Sequence, residues 1–119
     1  MEEKLAEFWV CAEPKEVTQF LRLEPTSIQI NQPYSYWRLQ FSGKDYGVEC
    51  ISALLKVLET REKEIIELAS KFAVGVVWVG TIEPDMPDCE NQFNLEAEEM
   101  GLLSRLHIPL CVQAWRSDR

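Results

Sequence analysis

Apolar positions change their period several times along the chain, and each period predicts an element. Lys4 to Cys11 (Lys-Leu-Ala-Glu-Phe-Trp-Val-Cys) is rich in aromatic and β-branched residues, which predicts a strand. Glu13-Pro14 opens a helix, because proline has its φ pre-set for the first turn and its missing N–H is not needed there. Val17, Phe20 and Leu21 give this helix an apolar stripe at i, i+3, i+4. Pro25 is expected to end it by pushing its predecessor out of the helical region. Ser27-Ile28-Gln29-Ile30 alternates strictly and predicts a short strand, closed by a turn at Asn31-Gln32-Pro33. Tyr34 to Phe41 predicts a longer strand. Successive strand side chains alternate, so Trp37, Leu39 and Phe41 share one face and Tyr36, Arg38 and Gln40 the other.

After a loop at Ser42-Gly43-Lys44-Asp45 the period becomes helical over residues 46–72. Val48, Ile51, Leu55, Leu58, Ile65, Ala69 and Phe72 follow spacings of three and four, with a beat missed at Glu62, so a kink or break is expected near Thr60. Ala73 to Ile82 is almost continuously apolar and predicts a central strand covered on one face or both. Gly75 and Gly80 within it mark a bulge or the close approach of another group. A loop with two prolines runs from Glu83 to Gln92. Asn94 then caps a helix that points Leu95, Leu102, Leu103 and Leu106 at the core, and Pro109 restarts the chain as a strand from Leu110 to Trp115. The last four residues are expected to fray.

The order is β-α-β-β-α(α)-β-α-β. Its first six elements match the split β-α-β of the ferredoxin-like plan, with a further α-β unit appended. The expected fold class is α+β: a mostly antiparallel sheet of about five strands with helices mainly on one face. At 119 residues the chain is the size of a single domain, residues 1–119. With 46% hydrophobic and 27% charged residues it has the apolar content to bury a core without disulfides or metal.

Charge narrows the function. Twelve basic against twenty acidic residues leave a net charge of −8, which opposes binding to nucleic acid or an anionic membrane. The longest apolar run, Phe72 to Val79, is far short of the ~20 residues a membrane span needs. The acidic start of the chain has no apolar run of the signal-peptide kind, so a cytoplasmic location is expected. Cys11, Cys50, Cys89 and Cys111 form no C-x-x-C pair. Cys11, Cys50 and Cys111 are expected to act as small core hydrophobes, and Cys89 sits among carboxylates that disfavour a thiolate. His107, the lone histidine, falls at a helix end, where imidazolium meets the negative end of the helix dipole. No G-x-S-x-G, P-loop or paired-histidine motif is present. A protein that is not an enzyme and needs no cofactor is therefore expected.

The charge is also uneven. Glu83, Asp85, Asp88, Glu90, Glu96, Glu98 and Glu99 fall within residues 83–99 with no Lys or Arg among them, so this segment alone carries −7. Two carboxylate-rich uses are open: a docking surface for a basic protein, or a cation site built on Asp85, Asp88 and Glu90, although their spacing does not fit the twelve-residue calcium loop. Acidic residues in a helix's first turn also have a purely structural use against its dipole. Tyr34, Tyr36 and Arg38 are the next contact candidates, since Tyr and Arg dominate interface energetics. They are placed on a sheet face that helices leave open, which suits a shallow binding surface or a homodimer, or is simply solvated.

Several of these segments together resemble a family. They are Leu-x-Leu-Glu-Pro-Thr at Leu21 to Thr26, the Trp-bearing strand Tyr36-Trp37-Arg38-Leu39, the Leu54-Leu55 pair and Asn-Leu-x-x-Glu-x-x-x-Leu at Asn94 to Leu102. The pattern looks like the bacterial domain of unknown function numbered 4279 over roughly residues 5–115, departing from it at Ala114-Trp115, where Tyr or Phe is commoner. Its motifs are fold motifs. The resemblance implies a non-enzymatic interaction protein, most concretely an immunity protein that neutralises a basic bacterial toxin. The alternative is a small-molecule or cation binding domain.

Overall fold

The computed structural model describes residues 4–43, 47–82 and 95–116. Among these residues nine elements follow in chain order: β1 (Lys4–Val10), α1 (Pro14–Leu21), β2 (Ser27–Gln29), β3 (Tyr36–Gly43), α2 (Gly47–Glu59), α3 (Glu62–Lys71), β4 (Val74–Ile82), α4 (Ala97–Leu106) and β5 (Leu110–Arg116). They build an α+β fold on one five-stranded sheet of order β2-β3-β1-β4-β5. β1 pairs antiparallel with both β3 and β4, β2 pairs antiparallel with β3, and β5 runs parallel to β4. β1 and β2 therefore run in the same direction with β3 between them, which is the expected split β-α-β, and α4-β5 extends the sheet past β4.

Strand register turns the sequence alternation into a core. Ala6, Phe8 and Val10 face the helices, and their cross-strand partners are Phe41, Leu39 and Trp37 on β3 and Trp78, Val76 and Val74 on β4. Burial on this face is complete at Phe8, Val10, Trp37 and Val76. Helices supply the other half through Val17 and Leu21 of α1, Ile51, Leu54, Leu55 and Leu58 of α2, Ile65 and Leu68 of α3, and Leu102, Leu103 and Leu106 of α4. This period of three and four is what turns one stripe of each helix into the core.

The break expected near Thr60 is present. Thr60 and Arg61 separate α2 from α3, with the Thr60 hydroxyl donating to the Val57 carbonyl (2.6 Å) and the Arg61 guanidinium donating to the Leu21 carbonyl at the end of α1 (2.7 Å). Three expectations need correction. Pro25 does not end α1: Arg22 does, in the left-handed region (φ 58°), with its N–H donating to the Thr18 carbonyl at 2.8 Å. Asn94, itself outside the described residues, is not the cap of the last helix. Glu96 is, and its backbone N–H donates to the Glu99 carboxylate (2.8 Å). Of the cysteines expected in the core only Cys50 is buried; Cys11, just past the end of β1, is half-buried, and Cys111 is exposed because it pairs with Val77 on the face turned away from the helices.

Both strand glycines answer to tryptophan rings. A Cβ at Gly75 would lie 2.6 Å from the ring of Trp9, its cross-strand partner, and one at Gly80 would lie 2.3 Å from the ring of Trp78. The Trp78 ring is 4% exposed and has little room to retreat. Gly80→Ala is accordingly expected to destabilise by about 1–3 kcal/mol, the usual cost of overpacking a core, read as a lowered urea midpoint. An unchanged midpoint would show that the ring moves freely.

Candidate functional site

Two surfaces collect the polar chemistry. The first is a groove of about 220 Å³ between α2 and the start of α4. Ser52, Leu55 and Leu102 line it together with Lys56 and Glu59 from α2 and Glu96, Glu98 and Glu99 from α4. Four carboxylates thus share the groove with a single ammonium. Glu99 is committed to the fold: besides taking the Glu96 N–H, it accepts a hydrogen bond from the Ser52 hydroxyl at 2.6 Å, tying α4 to α2. Glu59, Glu96 and Glu98 are exposed. Ion pairs among the described residues engage Glu7, Glu62, Glu64 and Glu67 instead. Nearby, Glu62 holds Arg105 (3.1 Å), and this hydrogen bond and charge raise the guanidinium pKa above its ordinary value. The one basic residue of α4 is thereby engaged by α3.

Glu99→Ala removes both contacts and is expected to cost about 0.5–2 kcal/mol, the range of a lost helix cap. Thermal unfolding measures it, and the Ser52→Ala background should reduce the loss if the two groups act together.

The second surface is the sheet face opposite the helices. Glu7 and Trp9 of β1 lie here beside Tyr36, Arg38 and Gln40 of β3. Arg38 sits 4.8 Å from the centre of the Tyr36 ring and donates to the Gln29 side chain (3.0 Å). Its Nε is 3.9 Å from the Glu7 carboxylate, which also accepts from Gln40 at 2.6 Å. Trp9 meets Tyr36 edge-on with centroids 5.9 Å apart. Glu7 and Arg38 are held by neighbours yet keep 17% and 25% of their side chains in contact with solvent.

The sequence candidates divide accordingly. Glu96, Glu98 and Glu99 come together in the groove; Tyr36 and Arg38 come together on the sheet face. Tyr34 does not join them: it precedes β3 in the turn and is 62% exposed. Glu83, Asp85, Asp88 and Glu90 lie outside the described residues, as does the cation site considered on the last three. Among the described residues no group of three His, Cys, Asp or Glu is placed to hold a metal ion, and no helix is long and apolar enough to cross a membrane. His107 is the exposed C-cap of α4, left-handed (φ 59°), with its N–H donating to the Ser104 carbonyl.

Sequence reading missed Glu59 and Glu7. Glu59 sits 37 positions before Glu96 in the chain and joins the groove only through the packing of α2 on α4. Glu7 was legible as an outward strand position, but its pairing with Arg38 and Gln40 needs the β1–β3 register.

A third feature is an open cleft of about 440 Å³ between α1 and α3, floored by Val17 and Leu68 and rimmed by Phe20 and Phe72, with Glu16, Glu67 and Lys71 at its mouth. No protein-family model matches the chain, nor does any curated protein or solved structure compared with it.

Proposed function

We propose that the chain is a non-enzymatic interaction protein that docks a basic partner through the acidic surface at the start of α4, and that it acts as an immunity protein neutralising a basic bacterial toxin in the cytoplasm. The observation that carries the reading is the convergence of Glu59 with Glu96, Glu98 and Glu99 around one groove. A toxin that binds phosphates presents Lys and Arg at its active site, and an acidic protein laid over that site meets complementary charge. The preceding acidic residues Glu83, Asp85, Asp88 and Glu90 extend the same charge along the chain. The resemblance to domain family 4279 supports the immunity role. The experiment is binding to the protein encoded beside this chain's own gene. Salt-sensitive association that protects cells from that protein supports the reading. Absence of binding, or binding indifferent to the acidic residues, removes it.

A small-molecule binding domain is the second reading, favoured by the α1–α3 cleft, whose volume falls within the range of ligand pockets, about 300–1,000 Å³. A metabolite panel read by thermal shift tests it. A ligand at a hundred times its Kd stabilises by about 2.7 kcal/mol, and Phe72→Arg at the exposed rim of the cleft should weaken that shift.

A further inference from the structure

We infer that the open face of the sheet is a self-association surface, and that its occupant is a second copy of this chain. This goes beyond the docking of a basic partner, which uses a different part of the molecule. The face is half-apolar, with Leu5, Trp9, Tyr36 and Val77 all partly exposed on it. Its charge is what selects the occupant. Among the described positions that point to this side, Glu7 and Arg38 are the charged ones, one of each sign, so the face is neutral on a chain of net charge −8. Two copies meeting through the acidic groove bring like charge together; meeting here, they do not. A two-fold axis passing between Glu7 and Arg38 lets Arg38 of each copy reach Glu7 of the other, with Trp9 beside its counterpart and Leu5 of one copy opposite Tyr36 of the other, as in two stacked sheets about 10 Å apart.

The size of the face sets the strength. Five strands spaced about 4.8 Å apart, the longer ones about 23 Å long and β2 much shorter, give a flat footprint of roughly 500 Å². Two such faces bury about 1,000 Å² in total, the lower bound for a specific interface. The dimer is therefore weak and concentration-dependent, with a Kd in the micromolar range or above.

Sedimentation equilibrium of the full chain, from micromolar to near-millimolar concentration, tests this. The wild type is expected to pass from monomer to dimer. Arg38→Glu, which leaves two carboxylates on each face, is expected to weaken the dimer about tenfold or more. The exchange Glu7→Arg with Arg38→Glu restores complementarity and should restore the dimer. Val77→Lys is an independent check: its ammonium falls beside Glu7 of its own chain, which supports folding, but it must be desolvated when two copies meet and competes for the carboxylate that the second copy's Arg38 has to reach. Circular dichroism identifies any variant that fails to fold, and the remaining variants decide the matter. A wild type that stays monomeric throughout overturns the proposal and leaves the face to a partner of another kind. A dimer that survives Arg38→Glu and Val77→Lys also overturns it.

Discussion

Trp37→Ala is expected to destabilise the fold by about 3–5 kcal/mol, the range for removing a large aromatic from a core. Trp37 is wholly buried and stands at the junction of three elements. Its ring meets Phe8 of β1 edge-on, with centroids 6.0 Å apart and planes at 73°. Its indole N–H donates to the Thr18 hydroxyl at 3.0 Å, which fastens β3 to α1. Truncation loses the apolar burial, leaves a cavity beside Phe8 and releases that bond. Domains of this size are stable by about 5–15 kcal/mol, so one substitution removes a large share. Urea unfolding measures it as a lowered midpoint at unchanged slope. Trp37→Phe keeps an aromatic ring and loses the hydrogen bond, so it should fall between the wild type and alanine. A loss below about 1 kcal/mol for alanine would mean that the core collapses around the gap, against the close packing of this face.

The second large effect is on binding. Glu59→Lys with Glu98→Lys moves the net charge from −8 to −4, on one groove. Both residues are exposed, and neither takes part in the ion pairs among the described residues, so their exchange should cost only about 1 kcal/mol, chiefly from the place of Glu98 in the first turn of α4. Glu99 is left out because it braces α4 against α2 through Ser52. Charge steering raises association rates by about 10–10³-fold at low salt, so the double variant should associate with the basic partner roughly tenfold more slowly. Dissociation should change less, since rim charges act mainly on the encounter. Surface plasmon resonance at low ionic strength reads both constants. Equal association rates for the variant and the wild type would remove the groove from the interface.

Much of the fold could be read from the chain because local signals agree with tertiary ones. The alternation in Tyr36 to Phe41 survives as two sheet faces, Pro14 sits in the first turn of α1, and the missed beat at Glu62 becomes the α2–α3 break. Signals that depend on geometry between elements were not legible. Arg22 ends α1 in a backbone conformation that favours glycine or asparagine, so nothing in its type announces a cap. Glu96 caps α4 in place of the better-suited Asn94 because Glu99 reaches back to its N–H. Cys111 reads as apolar core, yet the sheet register turns it to the open side at the outer strand. The candidate site divides the same way. The acidic run is visible in the sequence, whereas Glu59 enters it only through packing.

The association rate of this chain with its basic partner, followed as ionic strength rises, tests the acidic docking surface most directly. Screening shortens the reach of charge to about 8 Å at physiological salt, so a steered encounter slows steeply over that range. The wild type should show that steep decline, and Glu59→Lys with Glu98→Lys should flatten it until the two curves meet at high salt. A wild-type rate that does not respond to salt, or a variant that declines in parallel with it, would contradict docking through this surface.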